Sequence, residues 1–140
     1  MSGESVTHLQ SYSGNCPCLS GEQYVNCCGR FHSASARAAT AEQLMRSRYS
    51  AFVLLDSAYL LETWHPDTRP SELDLDTGIE WRRLDVVSTQ RGGPLDNQGA
   101  VEFKAHFRQG GERGVHHETS RFIKAEGQWY YLDAVALHQS

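Results

Sequence analysis

The stretch CPCLSGEQYVNCCG, residues 16 to 29, holds every cysteine of the chain, and four thiols within fourteen residues constrain the fold more than any other feature. A segment of about 30 residues buries too little surface to fold without a metal or a crosslink. Zinc takes four ligands in a tetrahedron, and Cys16 with Cys18 can supply two from one turn while Cys27 with Cys28 supply two from another. Gly21 lets the intervening chain turn without a Cβ clash. C-x-C and adjacent C-C are less common ligand pairs than C-x-x-C, so spacing alone leaves free thiols or a redox pair open beside zinc. Four thiolates on one ion leave no coordination position for water, which makes such a centre a holder of structure rather than a Lewis acid.

The remainder of the 140 residues suits one modest core domain. Residues 1–14 read as a flexible N-terminus, 15–30 as the metal knuckle, 31–39 as a linker or a loop lying on the next domain, and 40–140 as an α+β domain. With 17 acidic against 13 basic residues, the net charge of -4 gives no long-range attraction to a phosphate backbone or an anionic membrane, so nucleic acid is disfavoured as a partner. Eleven of the basic residues are Arg and two are Lys, which keeps a local Arg pocket open. The first residues lack a basic start and an apolar run, and no window reaches the roughly 18 apolar residues of a membrane span. A cytoplasmic protein is expected, in a reducing setting that argues against permanent disulfides.

Thr40 and Gln43 form a capping-box pattern ahead of AEQLMRSRYSAFVLLD, which predicts a core-facing helix with Arg48 near its centre. Asp56-Ser57 can cap a second short helix, Ala58 to Trp64, stopped by Pro66. From Trp81 the period becomes two, predicting strands at about 82–90, 100–108, 115–124 and 128–137 joined by Gly-rich turns. Helices first and an antiparallel meander after them give an α+β class, with the helices packed across a curved antiparallel sheet.

The cysteine stretch resembles the SEC-C motif, a small zinc-binding segment whose four ligands fall on Cys16, Cys18, Cys27 and Cys28. The chain departs from it at Leu19, where Gly is usual, and that change bears on the turn more than on the ligands. The resemblance implies a structural zinc ion and a module that can contact a protein partner. The order of this motif, then TAEQLMRSRYSAFVLLDSAYLLETWHPDTRP, VEFKAHF, HHETSRF and GQWYYLD, resembles the YchJ-like family of uncharacterised bacterial proteins. That resemblance implies a domain similar to nuclear transport factor 2, with cone-like helices packed on a bent antiparallel sheet, and supplies no reaction.

Folds of that type often enclose a pocket, and function must then be argued from its residues. Arg48, His65, His117, Glu118, Arg121 and Asp133 interrupt otherwise apolar patterns and are the candidate pocket residues. A buried Arg48 needs a partner, with Glu118 or Asp133 in reach as carboxylates. His65 is either a satisfied helix-end histidine or a general base. On a regular strand Glu118 shares a side with His116, Ser120 and Phe122, while His117 shares the other with Thr119 and Arg121. Three roles stay open: a zinc-containing binding or adaptor protein, a small enzyme or small-molecule binder using the pocket, and a purely structural or interaction protein.

Overall fold

The structure, a computed structural model, describes residues 14–138, with side chains through Val135. The expected flexible terminus falls outside the described residues as far as residue 13. Helices α1 (Cys28–His32), α2 (Ala41–Val53) and α3 (Ser57–Glu62) precede strands β1 (Ile79–Arg91), β2 (Gln98–Gln109), β3 (Glu112–Ala125) and β4 (Gln128–His138). The α+β class and the meander are as the sequence predicts, and the helix starts have the expected chemistry. Thr40 Oγ1 accepts the Gln43 N–H at 3.1 Å. Gln43 reaches back one residue further than a capping box does, to the Ala39 N–H at 2.7 Å. Asp56 caps α3 by accepting from the Tyr59 N–H at 3.1 Å.

The expectation of cone-like helices round a curved sheet is corrected. The sheet is flat. Its strands run in the order β1-β2-β3-β4, so β1 and β4 remain separate edges. The physical reason lies in the connections: three successive hairpins carry the chain steadily away from β1, and no crossover brings β4 back to it. The helical layer is also slight. At 1.5 Å per residue α2 spans about 20 Å, and it lies across β1, β2 and β4. The free edge of β4 is partly covered by the segment after α3. There the Tyr131 N–H donates to Thr63 O and the His65 N–H donates to Tyr131 O, each at 2.8 Å.

Two apolar clusters hold these layers together. Leu44, Met45 and Tyr49 of α2 pack on Leu84, Val101, Phe103, Ala105, Phe122 and Trp129 of the sheet, and Cys16, Cys18, Tyr24 and Cys28 belong to this same cluster. Phe31, Ala51, Tyr59 and Leu60 form the second. The stretch from residue 31, expected as a linker, thus begins with the end of α1 and anchors itself through Phe31. Among the described residues no helix is long and apolar enough to cross a membrane.

Candidate functional site

The sulfur atoms of Cys16, Cys18, Cys27 and Cys28 lie within 4.8 Å of one another and could hold a metal ion. A tight turn presents the first pair, in which the Leu19 N–H donates to Cys16 O at 3.0 Å. Leu19 pays for that turn with a left-handed φ of 64°, the position where the motif usually has Gly. The second pair opens α1. Gly29 follows it because a Cβ there would stand 2.7 Å from Tyr24 O, too close for any other residue without movement.

Without a cation Cys16 and Cys28 are driven in opposite directions by the sulfurs around them. Hydrogen bonds from Cys18 and then Cys28 hold Cys16 down at about 3. Cys28 is pushed well above its ordinary value by donating to Cys16 and Cys18. A divalent cation relieves that opposition, so this donor set suits a thiophilic ion.

The cluster is fastened to the domain by polar contacts. Ser50 Oγ lies 3.5 Å from Cys16 Sγ. Arg46 Nη1 donates to Cys18 O at 3.1 Å. Tyr24 Oη lies 2.6 Å from His32 Nδ1, and His32 Nε2 donates to Ser47 O at 2.8 Å. Arg30, a candidate to offset the thiolate charge, donates through Nε to Cys27 O at 3.2 Å.

A cavity of about 330 Å³ lies between α2 and the sheet. Its walls are aromatic, with Tyr49, Phe52, Trp64, Trp81, Phe103 and Tyr131 among them, and its polar groups are Arg48, His116, Glu118 and Ser120. Arg48 is 6% exposed. Its Nη1 donates to Leu60 O and to Thr63 Oγ1, each at 2.7 Å. Its guanidinium carbon stands 4.5 Å from the Tyr131 ring centroid and 5.3 Å from that of Trp64. Burial pulls this guanidinium down to about 10, so it stays charged at neutral pH. Trp64 Nε1 is buried with no hydrogen-bond partner among the described residues.

Across the cavity Glu118 accepts from His116 Nε2 at 2.7 Å, from the Ser120 hydroxyl and from Tyr131 Oη at 3.4 Å. Burial pushes the Glu118 carboxyl up, and the hydrogen bonds from His116 and Ser120 outweigh it, leaving the group below its ordinary value. The hydrogen bond to Glu118 in turn raises His116. The result is a hydrogen-bonded carboxylate–imidazole pair beside an apolar chamber.

Of the six candidate pocket residues, Arg48 and Glu118 line this cavity and the other four do not. His65 sits at the turn after α3, where Nδ1 accepts the Asp67 N–H at 3.1 Å. His117 Nε2 lies 2.7 Å from Glu102 Oε2. Arg121 and Asp133 form a bidentate pair across β3 and β4 at 2.8 and 2.7 Å. Asp133 is therefore not the partner of Arg48, and Glu118 acts on Arg48 only through space. The sequence does not single out Trp64, and it offers Tyr131 only as one of the aromatics, with Trp81, Trp129 and Tyr130, that could stack a planar ligand or simply fill the core. The signal available was their aromatic type beside a buried Arg, which is also the signature of ordinary core filling.

The family model described as "YchJ, middle NTF2-like domain" matches residues 40–134. A UPF0225 protein of Streptomyces coelicolor is 51% identical over 118 residues, covering 84% of this chain and 92% of its own. One from Corynebacterium glutamicum is 53% identical over 116 residues, covering 83% and 92%. The solution structure of a SEC-C motif containing protein from Rhodopseudomonas palustris superposes with a TM-score of 0.77 at 39% identity, over 89% of this chain and all of that one. The crystal structure of another, from Psychrobacter arcticus, gives 0.70 at 33% identity over 89% and 83%.

Proposed function

The chain belongs to the YchJ (UPF0225) family, and on that premise we propose that it is a zinc-containing small-molecule-binding protein. Cys16, Cys18, Cys27 and Cys28 hold the zinc as a structural clip, and the cavity under α2 is the working site. All four donors are thiols, which favours zinc over hard cations. Zn–S bonds of about 2.3 Å put tetrahedral sulfurs about 3.8 Å apart, and Cys18 Sγ and Cys27 Sγ stand at 3.6 Å. The metal's contribution is to fold the knuckle and lock it on α2. With its positions filled by protein, chemistry belongs elsewhere.

The observation that carries the cavity reading is Arg48: a buried cation on an apolar wall, with neutral acceptors and aromatic faces but no carboxylate in ion-pair contact among the described residues. An apolar chamber with a few convergent polar groups is the usual form of a small-ligand site. Its volume admits about a dozen non-hydrogen atoms at interior packing density. The occupant is a flat, mostly apolar molecule with an acceptor or anionic group directed to the Arg48 and Trp64 end. Calorimetric titration with 2-naphthoate tests this. One-to-one binding, weaker for 2-naphthalenemethanol and for Trp64→Phe, is expected, and no binding of either probe at millimolar concentration refutes it.

A second reading, docking of a protein on the knuckle, is favoured by Leu19 and Val25, each 54% exposed there. It is the weaker one, because Cys16, Cys18, Cys28 and Tyr24 are packed into the domain core.

A further inference from the structure

Eleven arginines in an acidic chain raise the question of where they gather. Four of them, Arg82, Arg83, Arg108 and Arg113, line a groove of about 370 Å³ with His106. Three strands contribute. The β1–β2 register steps from Trp81 opposite Phe107 to Arg83 opposite His106, so Arg82 is an extra residue in a β-bulge. A bulge re-aims side chains, and here neighbouring Arg82 and Arg83, which alternation would send to opposite faces, both reach the groove. From β2 and β3, Arg108 and Arg113 stand directly opposite each other in register. Like charges placed so are destabilising unless an anion lies between them.

The carboxylates in reach do not neutralise the cluster. Glu80 pairs with Arg82 at 3.5 Å, and Asp85 with Arg83 at 3.1 Å and with His106 at 2.9 Å. Among the described residues Arg113 has no side-chain partner and Arg108 Nε is buried with no hydrogen-bond partner. Two guanidinium charges and one buried donor are left over.

We infer that this groove is a binding site for a small phosphate-bearing anion, distinct from the cavity under α2. Guanidinium forks fit carboxylate and phosphate alike. Here they converge from three strands, and a carboxylate offers two oxygens where a phosphate or diphosphate offers three or more. The chain's net charge of -4 opposes the approach of a long polyanion, so the occupant is a small molecule and not a nucleic acid.

Inorganic pyrophosphate is the probe, titrated calorimetrically into the full metal-loaded chain in low-salt buffer. Saturable one-to-one binding is expected, weakened tenfold or more by Arg108→Gln or Arg113→Gln and less by Arg113→Lys, which keeps charge without the fork. Arg91→Gln, at an exposed arginine outside the groove, leaves it unchanged. Arg113→Gln also leaves the thermal midpoint unchanged or raises it, because it removes a like-charge contact. Absence of binding overturns the inference, as does equal weakening by Arg91→Gln. Tighter binding of a short single-stranded oligonucleotide than of pyrophosphate replaces it with a polyanion surface.

Discussion

Replacing Arg48 with Met keeps the stem of the side chain and removes its charge, and the structure allows the consequence to be worked out. Burial lowers the guanidinium from 12.5 to about 10, which at 1.36 kcal/mol per unit is roughly 3 kcal/mol against the charged form. Opposing this are the hydrogen bonds to Leu60 O and Thr63 Oγ1, worth about 1.5 kcal/mol each for a charged donor. Contacts with the Tyr131 and Trp64 faces add about 0.5 to 1 kcal/mol apiece. The favourable contacts exceed that penalty by only about 1 to 2 kcal/mol. No contacting carboxylate is stranded by the change, so the roughly 3 to 5 kcal/mol cost of breaking a buried ion pair does not arise. Arg48→Met should therefore lower the thermal midpoint by only about 3 to 7 °C, while weakening 2-naphthoate binding tenfold or more. Circular dichroism melting and calorimetry on the same sample check both halves. A midpoint lowered by about 10 °C or more refutes the reasoning, because Arg48 would then be a keystone of the fold and not a group held for a ligand.

Phe31→Ala should cost about 3 kcal/mol, since Phe31 is a buried member of the cluster with Ala51, Tyr59 and Leu60; chemical denaturation measures it, and a loss under 1 kcal/mol would count against the anchoring role of α1. Leu19→Gly should stabilise the knuckle by about 1 kcal/mol by relieving the left-handed backbone, read as slower metal release to a chelator. His116 is raised in the folded state by Glu118, so its contribution is full below its unfolded value of 6.5 and is lost as pH rises through the folded one. Glu118 is lowered, so its contribution holds above 4.5 and is lost as acid takes the carboxylate through its folded value. Melting curves from pH 4 to 9 should show both arms, and His116→Gln should flatten the alkaline one; an unchanged alkaline arm in that variant would contradict the pairing.

The sequence makes the local features legible because short-range chemistry sets them. The Thr40 and Asp56 caps, the period-two strands and the clustering of the four thiols all follow from residues close in sequence. What it hides is long-range. Phe31 reads as part of a linker until Ala51 and Tyr59 are placed around it. The neighbours His116 and His117 differ only in which side of β3 they take, and the side facing α2 makes His116 the cavity residue. The bulge at Arg82 depends on how β1 registers with β2, so an arginine cluster inferable only as a count becomes a place. The curvature expected of the sheet was read from the order of its elements and implied again by the family resemblance, and the succession of hairpins overrides it.

The division of labour between knuckle and cavity is tested most directly by one titration, following backbone and indole N–H resonances of the zinc-loaded chain as 2-naphthoate is added. The indole resonance of Trp64 and the amides of Arg48 and Glu118 should shift saturably while those of Cys16, Cys18, Cys27 and Cys28 stay in place. Shifts confined to the four cysteines and their neighbours, with Trp64 unmoved, would contradict the account.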